Sequence, residues 1–149
     1  MSLRGASLVV ALAIALCPLE ADAQNDDGAA ANIAGGWSFE TEVYDFTCHM
    51  TGELILEPSG TPDVFLGDLV AYESCNGSQI YEARQSVIAR RKGDHLEIVS
   101  TLVRVLPSPS AYAPDNFDLT IVNGALMEGE LRSADIAPAT FRRREALIG

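Results

Sequence analysis

From Gly35 onward, apolar and polar positions alternate with a period of two. In the first run Trp37, Phe39, Thr41 and Val43 share one face, with Ser38, Glu40 and Glu42 on the other. Such alternation predicts a half-buried strand, because successive side chains of an extended chain point to opposite sides. The second run sets Cys48, Met50, Gly52, Leu54 and Leu56 against Thr51, Glu53 and Glu57. Val64 to Tyr72 predicts a third strand, apolar on both faces and therefore without an evident orientation. Ile80 to Arg91 predicts a fourth, with Tyr81, Ala83, Val87 and Ala89 on one face. Helix is the competing reading for Tyr81 to Lys92, since Glu82, Ala83, Arg84 and Gln85 all propagate helix; the alternation and flanking turns favour strand. Leu96, Ile98, Ser100 and Leu102 mark a fifth strand, Phe117, Leu119 and Ile121 a sixth, and Met127, Gly129 and Leu131 a seventh. Ala137 to Arg144 makes an eighth, whose Pro138 suits a strand end.

The breaks between these runs are turn chemistry. Pro58 to Pro62, Cys75 to Ser78 and Lys92-Gly93-Asp94 punctuate the chain, and Asn123-Gly124 is a two-residue hairpin signal. Pro107 opens the longest loop, running to about Asp115. Short strands joined by tight turns predict an all-β fold, an antiparallel up-and-down β-barrel of about eight strands, since closure removes exposed edges. At this strand number the interior just holds side chains or one small ligand. Gly52 and Gly129 sit in matching contexts, Met50-Thr51-Gly52-Glu53-Leu54 and Met127-Glu128-Gly129-Glu130-Leu131, where glycine permits the sharp bend that a small barrel requires.

Residues 1–23 read as an address. Arg4, the nine-residue apolar run Leu8 to Leu16 and the small residues of Ala21-Asp22-Ala23 have the form of a secretory signal cleaved after Ala23. A membrane span needs roughly 20 apolar residues, so a stable anchor is not expected. Cys17 as a lipidated residue would follow Leu16, where that signal wants a small side chain. Gln24 to Asn32 lacks periodicity, and residues 24–34 read as a flexible lead before a barrel domain at 35–149. With Cys17 removed, Cys48 and Cys75 remain and predict one disulfide in an oxidising compartment. The rival, a metal site with His49 and His95, lacks Cys-x-x-Cys or His-x-x-x-His spacing. Nine of the ten basic residues are Arg, only Lys92 being Lys, and Ala is abundant. That bias suggests a GC-rich bacterial genome, and with the signal it predicts a secreted or periplasmic protein.

Charge narrows the partners. The 149 residues make one domain. With 21 acidic against 10 basic residues the net charge is -11, which argues against nucleic acid. Gly-x-Ser-x-Gly is absent and neither histidine has a nucleophile at a suggestive spacing, so binding is expected rather than catalysis, with no cofactor and no metal. Glu40, Glu42 and Asp45 read as a solvated strand edge. Thr41, Gln85 and Ser100 are polar on otherwise apolar faces. They would anchor a ligand in a hollow barrel, or satisfy one another or a water in a filled one.

The opening triplet Gly35-Gly36-Trp37, the strand number and the late run Arg142, Arg143 and Arg144 after Phe141 resemble the calycins, the lipocalin-like barrels. The resemblance implies that Trp37 closes one barrel end and that one of these arginines, Arg142 and Arg143 first among them, stacks over its indole face, a cation–π contact of about 1 kcal/mol. The chain is also similar to small periplasmic inhibitors of secreted metalloproteases, eight-stranded barrels with a Gly-x-Trp start and one disulfide, in which the segment before the barrel enters the protease cleft. Here that would be Gln24 to Asn32. The leading expectation is a monomer that captures a small apolar molecule between Met50, Leu54, Tyr81, Gln85, Leu96, Ile98, Phe117, Leu119 and Met127. The alternatives are a module binding a secreted protease or other envelope protein through the lead or the Pro107–Asp115 loop, and an envelope structural protein without ligand. A hollow or a filled interior separates these readings.

Overall fold

The computed structural model describes residues 32–109 and 111–145. The signal segment 1–23 and residues 24–31 of the lead lie outside the described residues. Eight strands follow in order: β1 (Gly35–Thr41), β2 (Cys48–Pro58), β3 (Val64–Cys75), β4 (Ser78–Lys92), β5 (His95–Leu106), β6 (Asn116–Asn123), β7 (Leu126–Arg132) and β8 (Ile136–Arg143). Each pairs antiparallel with the next, and β8 pairs back onto β1, which closes an up-and-down barrel.

The helix-prone stretch is β4. Ladders on both of its edges satisfy its backbone, and Ala83, Gln85, Val87 and Ala89 alternate inward, so tertiary pairing overrides local propensity. β3, unoriented by its pattern, turns Leu69 and Ala71 inward. β1 stops at Thr41, and Val43, placed by its phase on the buried face, is exposed in the turn that follows. A two-residue hairpin forms at Asn76-Gly77, between the paired Cys75 and Ser78. Its φ values of 52° and 76° match the right-handed twist of the strands it joins. The hairpin expected at Asn123-Gly124 forms with a register shift between Ile121 and Asn123, so Gly124 and Ala125 make the turn.

The middle of the barrel is filled. Phe39 stacks on Phe141 with ring centroids 5.0 Å apart, and Phe117 meets the two edge-on at 5.2 and 5.0 Å. Leu54, Leu69, Leu96, Ile98, Leu119 and Met127 are fully buried around them. Gly52 belongs to this packing, because a Cβ there would run into the Phe39 ring and the Val70 carbonyl oxygen.

One end is plugged. Trp37 is fully buried and its Nε1 donates to the Ile33 carbonyl at 3.0 Å. The Arg143 guanidinium lies 4.4 Å over the indole. The same guanidinium donates to the carbonyls of Ala34, Asn32 and Gly124, which ties the chain entry to the β6–β7 turn. Arg143 takes this role because it shares the inward phase of Ala137, Ala139 and Phe141; Arg142 points outward, and Arg144 pairs with Glu53 at 2.8 Å on the surface. Ile33, in the lead by sequence, is buried beneath the plug.

Candidate functional site

The opposite end is built from the connections β1–β2, β3–β4, β5–β6 and β7–β8, and it holds a cavity of about 380 Å³. Three tyrosines (Tyr44, Tyr81, Tyr112) and three carboxylates (Glu73, Asp115, Asp135) line it, together with Met50 and Leu131, which belong to the buried core. Among the described residues, no basic side chain lines it.

Strand phase delivers one wall. Met50 of β2 faces Glu73 of β3, and Glu73 faces Tyr81 of β4, so three side chains share one row across the sheet. The disulfide between Cys48 and Cys75 forms as expected and clamps β2 to β3 beside this row, with Cα atoms 4.0 Å apart. Among the described residues the one Cys, His or carboxylate group with metal-like proximity is Cys48, Glu73 and Cys75, and its sulfurs are consumed by that bond. Tyr44 is held over the row by paired backbone hydrogen bonds with Cys48 of 2.8 and 2.9 Å, and its hydroxyl donates to Glu73 Oε1 at 2.9 Å.

The β5–β6 connection delivers the other wall. Tyr112 meets Tyr81 edge-on at 5.7 Å. Asp115 is fully buried, held by a clamp on three sides. Gln85 Nε2 donates to its Oδ2 at 2.5 Å, its own backbone N–H donates to Gln85 Oε1 at 2.9 Å, and Ser100 Oγ donates to its carbonyl at 2.6 Å. The Tyr112 hydroxyl also donates to Oδ2, at 3.1 Å. Among the described residues Oδ1 has no hydrogen-bond partner. Burial raises the Asp115 carboxyl to about 6, against the hydrogen bonds from Gln85 and Tyr112 that pull it down. Tyr44 and Tyr112 are pushed far above the usual phenol value, first by burial and then by Glu73 and Asp115 beside them, so both stay neutral donors.

This has a consequence for stability. A carboxyl whose value rises on folding favours the native state below its unfolded value, and the benefit is lost as pH climbs through the folded one. The ordinary value is 3.8 and the native one about 6, so the window runs from about pH 4 to about pH 7, with a cost of up to about 3 kcal/mol at its upper end. Asp115→Asn keeps an oxygen for Gln85 and Tyr112 and removes the charge. Urea unfolding across this window is expected to show the variant gaining on the wild type as pH rises; a pH-independent difference would place the titration elsewhere.

Of the residues proposed from sequence to line a ligand, Met50 and Tyr81 line the cavity. Gln85 lies beneath, engaged with Asp115. Leu54, Leu96, Ile98, Phe117, Leu119 and Met127 are packed in the filled midsection, where the phenylalanine cluster occupies the space a ligand would need. Thr41 and Ser100 are satisfied by backbone groups rather than by one another: Thr41 Oγ1 accepts from the Met50 N–H at 2.9 Å, and Ser100 Oγ donates to the Asp115 carbonyl. His95 lies on the exterior beside Asp118, 3.2 Å away. Sequence reasoning missed Tyr44, Glu73, Tyr112, Asp115 and Asp135. Two of these carried a signal. Asp115 keeps the inward phase of Phe117, Leu119 and Ile121, and Glu73 that of Leu69 and Ala71.

No protein-family model matches the chain, and no curated protein matches it. Among solved structures it is similar to a de novo designed fluorescence-activating β-barrel, at 21% identity and TM-score 0.52, over 77% of this chain and 97% of that one. It is also similar to a redesigned β-barrel, mFAP1, bound to DFHBI, at 16% identity and TM-score 0.50, over 75% of this chain and 94% of that one. At these identities the likeness establishes the fold, a small antiparallel β-barrel of eight strands.

Proposed function

We propose that the protein is an exported, calycin-like binding barrel that takes a small molecule into the end opposite Trp37. The observation that carries this reading is the asymmetry of the interior: plugged at one end, filled in the middle, and open as a cavity of about 380 Å³ at the other. That volume falls within the range of small-molecule pockets, and a mostly apolar lining with a few polar groups is their usual character. The bound DFHBI of the mFAP1 barrel supports the idea that a barrel of similar fold serves such a role. The Cys48–Cys75 bond supports an oxidising compartment and hence export. Binding is the activity this reading assigns: Glu73 and Asp115, already held by Tyr44, Gln85 and Tyr112, offer a ligand fixed acceptors that orient it.

Ligand-observed NMR with a panel of neutral and charged aromatic fragments tests the proposal. Fragments are expected to bind, and Ala113→Trp, which fills the cavity from its loop side, is expected to remove their binding while leaving the melting temperature near that of the wild type. A panel without any binder, or binding indifferent to Ala113→Trp, would overturn it.

A further inference from the structure

The lining of the cavity points to the charge of what it holds. A neutral apolar occupant would dehydrate Glu73 and Asp135 and leave Asp115 Oδ1 unpaired, and an unsatisfied buried polar group costs free energy. An anion would face three carboxylates with no basic residue in the lining. A cation that donates hydrogen bonds relieves both problems, and the faces of Tyr44, Tyr81 and Tyr112 are favourable surfaces for it. Tyr44 and Tyr112 already donate their hydroxyl protons, to Glu73 and Asp115, and Gln85 donates to Oδ2, so none of these donors serves Oδ1.

Resting on the pocket reading above, we propose that the ligand is a small organic cation, a protonated amine on a short apolar or aromatic body, whose N–H donates to Asp115 Oδ1 while the body packs against Tyr81, Tyr112 and Met50. The acidic balance of the whole chain, net -11, adds a long-range field that draws such a ligand in.

Three probes of one shape and different charge decide this. Phenethylamine is the cation, propylbenzene its neutral isostere and phenylpropanoate the anion. Titrations at about pH 7.5, above the Asp115 transition, are expected to show phenethylamine binding at least about tenfold more tightly than propylbenzene, and no binding of phenylpropanoate. Asp115→Asn and Glu73→Gln should each shrink that preference to about threefold or less; two variants guard against a fold defect in one. Propylbenzene binding as tightly as the amine, binding of the anion, or a preference that survives both substitutions overturns the inference and leaves the pocket reading standing. Failure of all three probes and of the wider fragment panel overturns both.

Discussion

Trp37→Ala is expected to cost about 3–5 kcal/mol of folding stability, the usual range for deleting a buried aromatic. Three losses add up at this site. The indole leaves a void among fully buried neighbours. The Ile33 carbonyl loses the Nε1 donor at 3.0 Å. The Arg143 guanidinium, 4.4 Å over the ring, loses the face it stacks on. Single domains are stable by only about 5–15 kcal/mol, so the variant should sit near the edge of folding at room temperature. Trp37→Phe separates the contributions, keeping most of the packing and losing the N–H, and should fall about 1–2 kcal/mol short of wild type. Denaturant unfolding followed by circular dichroism measures both. A loss below about 1 kcal/mol for Trp37→Ala would mean that the plug does not hold the barrel shut.

Loss of the disulfide should be nearly as costly. Cys48 and Cys75 are 27 residues apart, and a closed loop of that length stabilises by about 3–4 kcal/mol through the entropy it removes from the unfolded chain. The double variant Cys48→Ser with Cys75→Ser should show that loss in urea unfolding, and the native wild type should present no free thiol at either position. The effect should also be local. The bond joins β2 to β3 beside Met50 and Glu73, and Cys48 carries the backbone pair that holds Tyr44. Amide exchange in the variant should therefore rise more at residues 44–50 and 72–78 than around Trp37 at the far end. Uniform acceleration over the whole barrel would show that the bond acts on global stability alone, without organising the mouth of the cavity.

The architecture was legible in the sequence because it rests on local signals. A period of two, broken by Asn76-Gly77 and Lys92-Gly93-Asp94, specifies strands and hairpins, and eight short hairpin-linked strands close more readily than they leave edges. Trp37 and Arg143 were legible through a resemblance, and the choice of Arg143 over Arg142 follows from alternation alone. The cavity was less legible. Its position depends on where the interior is already full, and this is a question of side-chain volume summed across all eight strands. Phe39, Phe117 and Phe141 come from β1, β6 and β8, and only closure brings them together, leaving Leu54, Ile98, Leu119 and Met127 as core. Tyr44 and Tyr112 reach the mouth from connections, whose paths no periodicity describes. Asp115 and Glu73 were the recoverable ones, carboxylates in phase with apolar faces.

Methionine methyl NMR offers the most direct test of a barrel filled in the middle and receptive at one end. Met50 lines the cavity, and Met127 is fully buried in the filled part of the interior. Titration with phenethylamine is expected to shift the Met50 methyl resonance strongly and leave that of Met127 in place. A shift of Met127 equal to or larger than that of Met50 would place the ligand in the midsection and contradict a filled core.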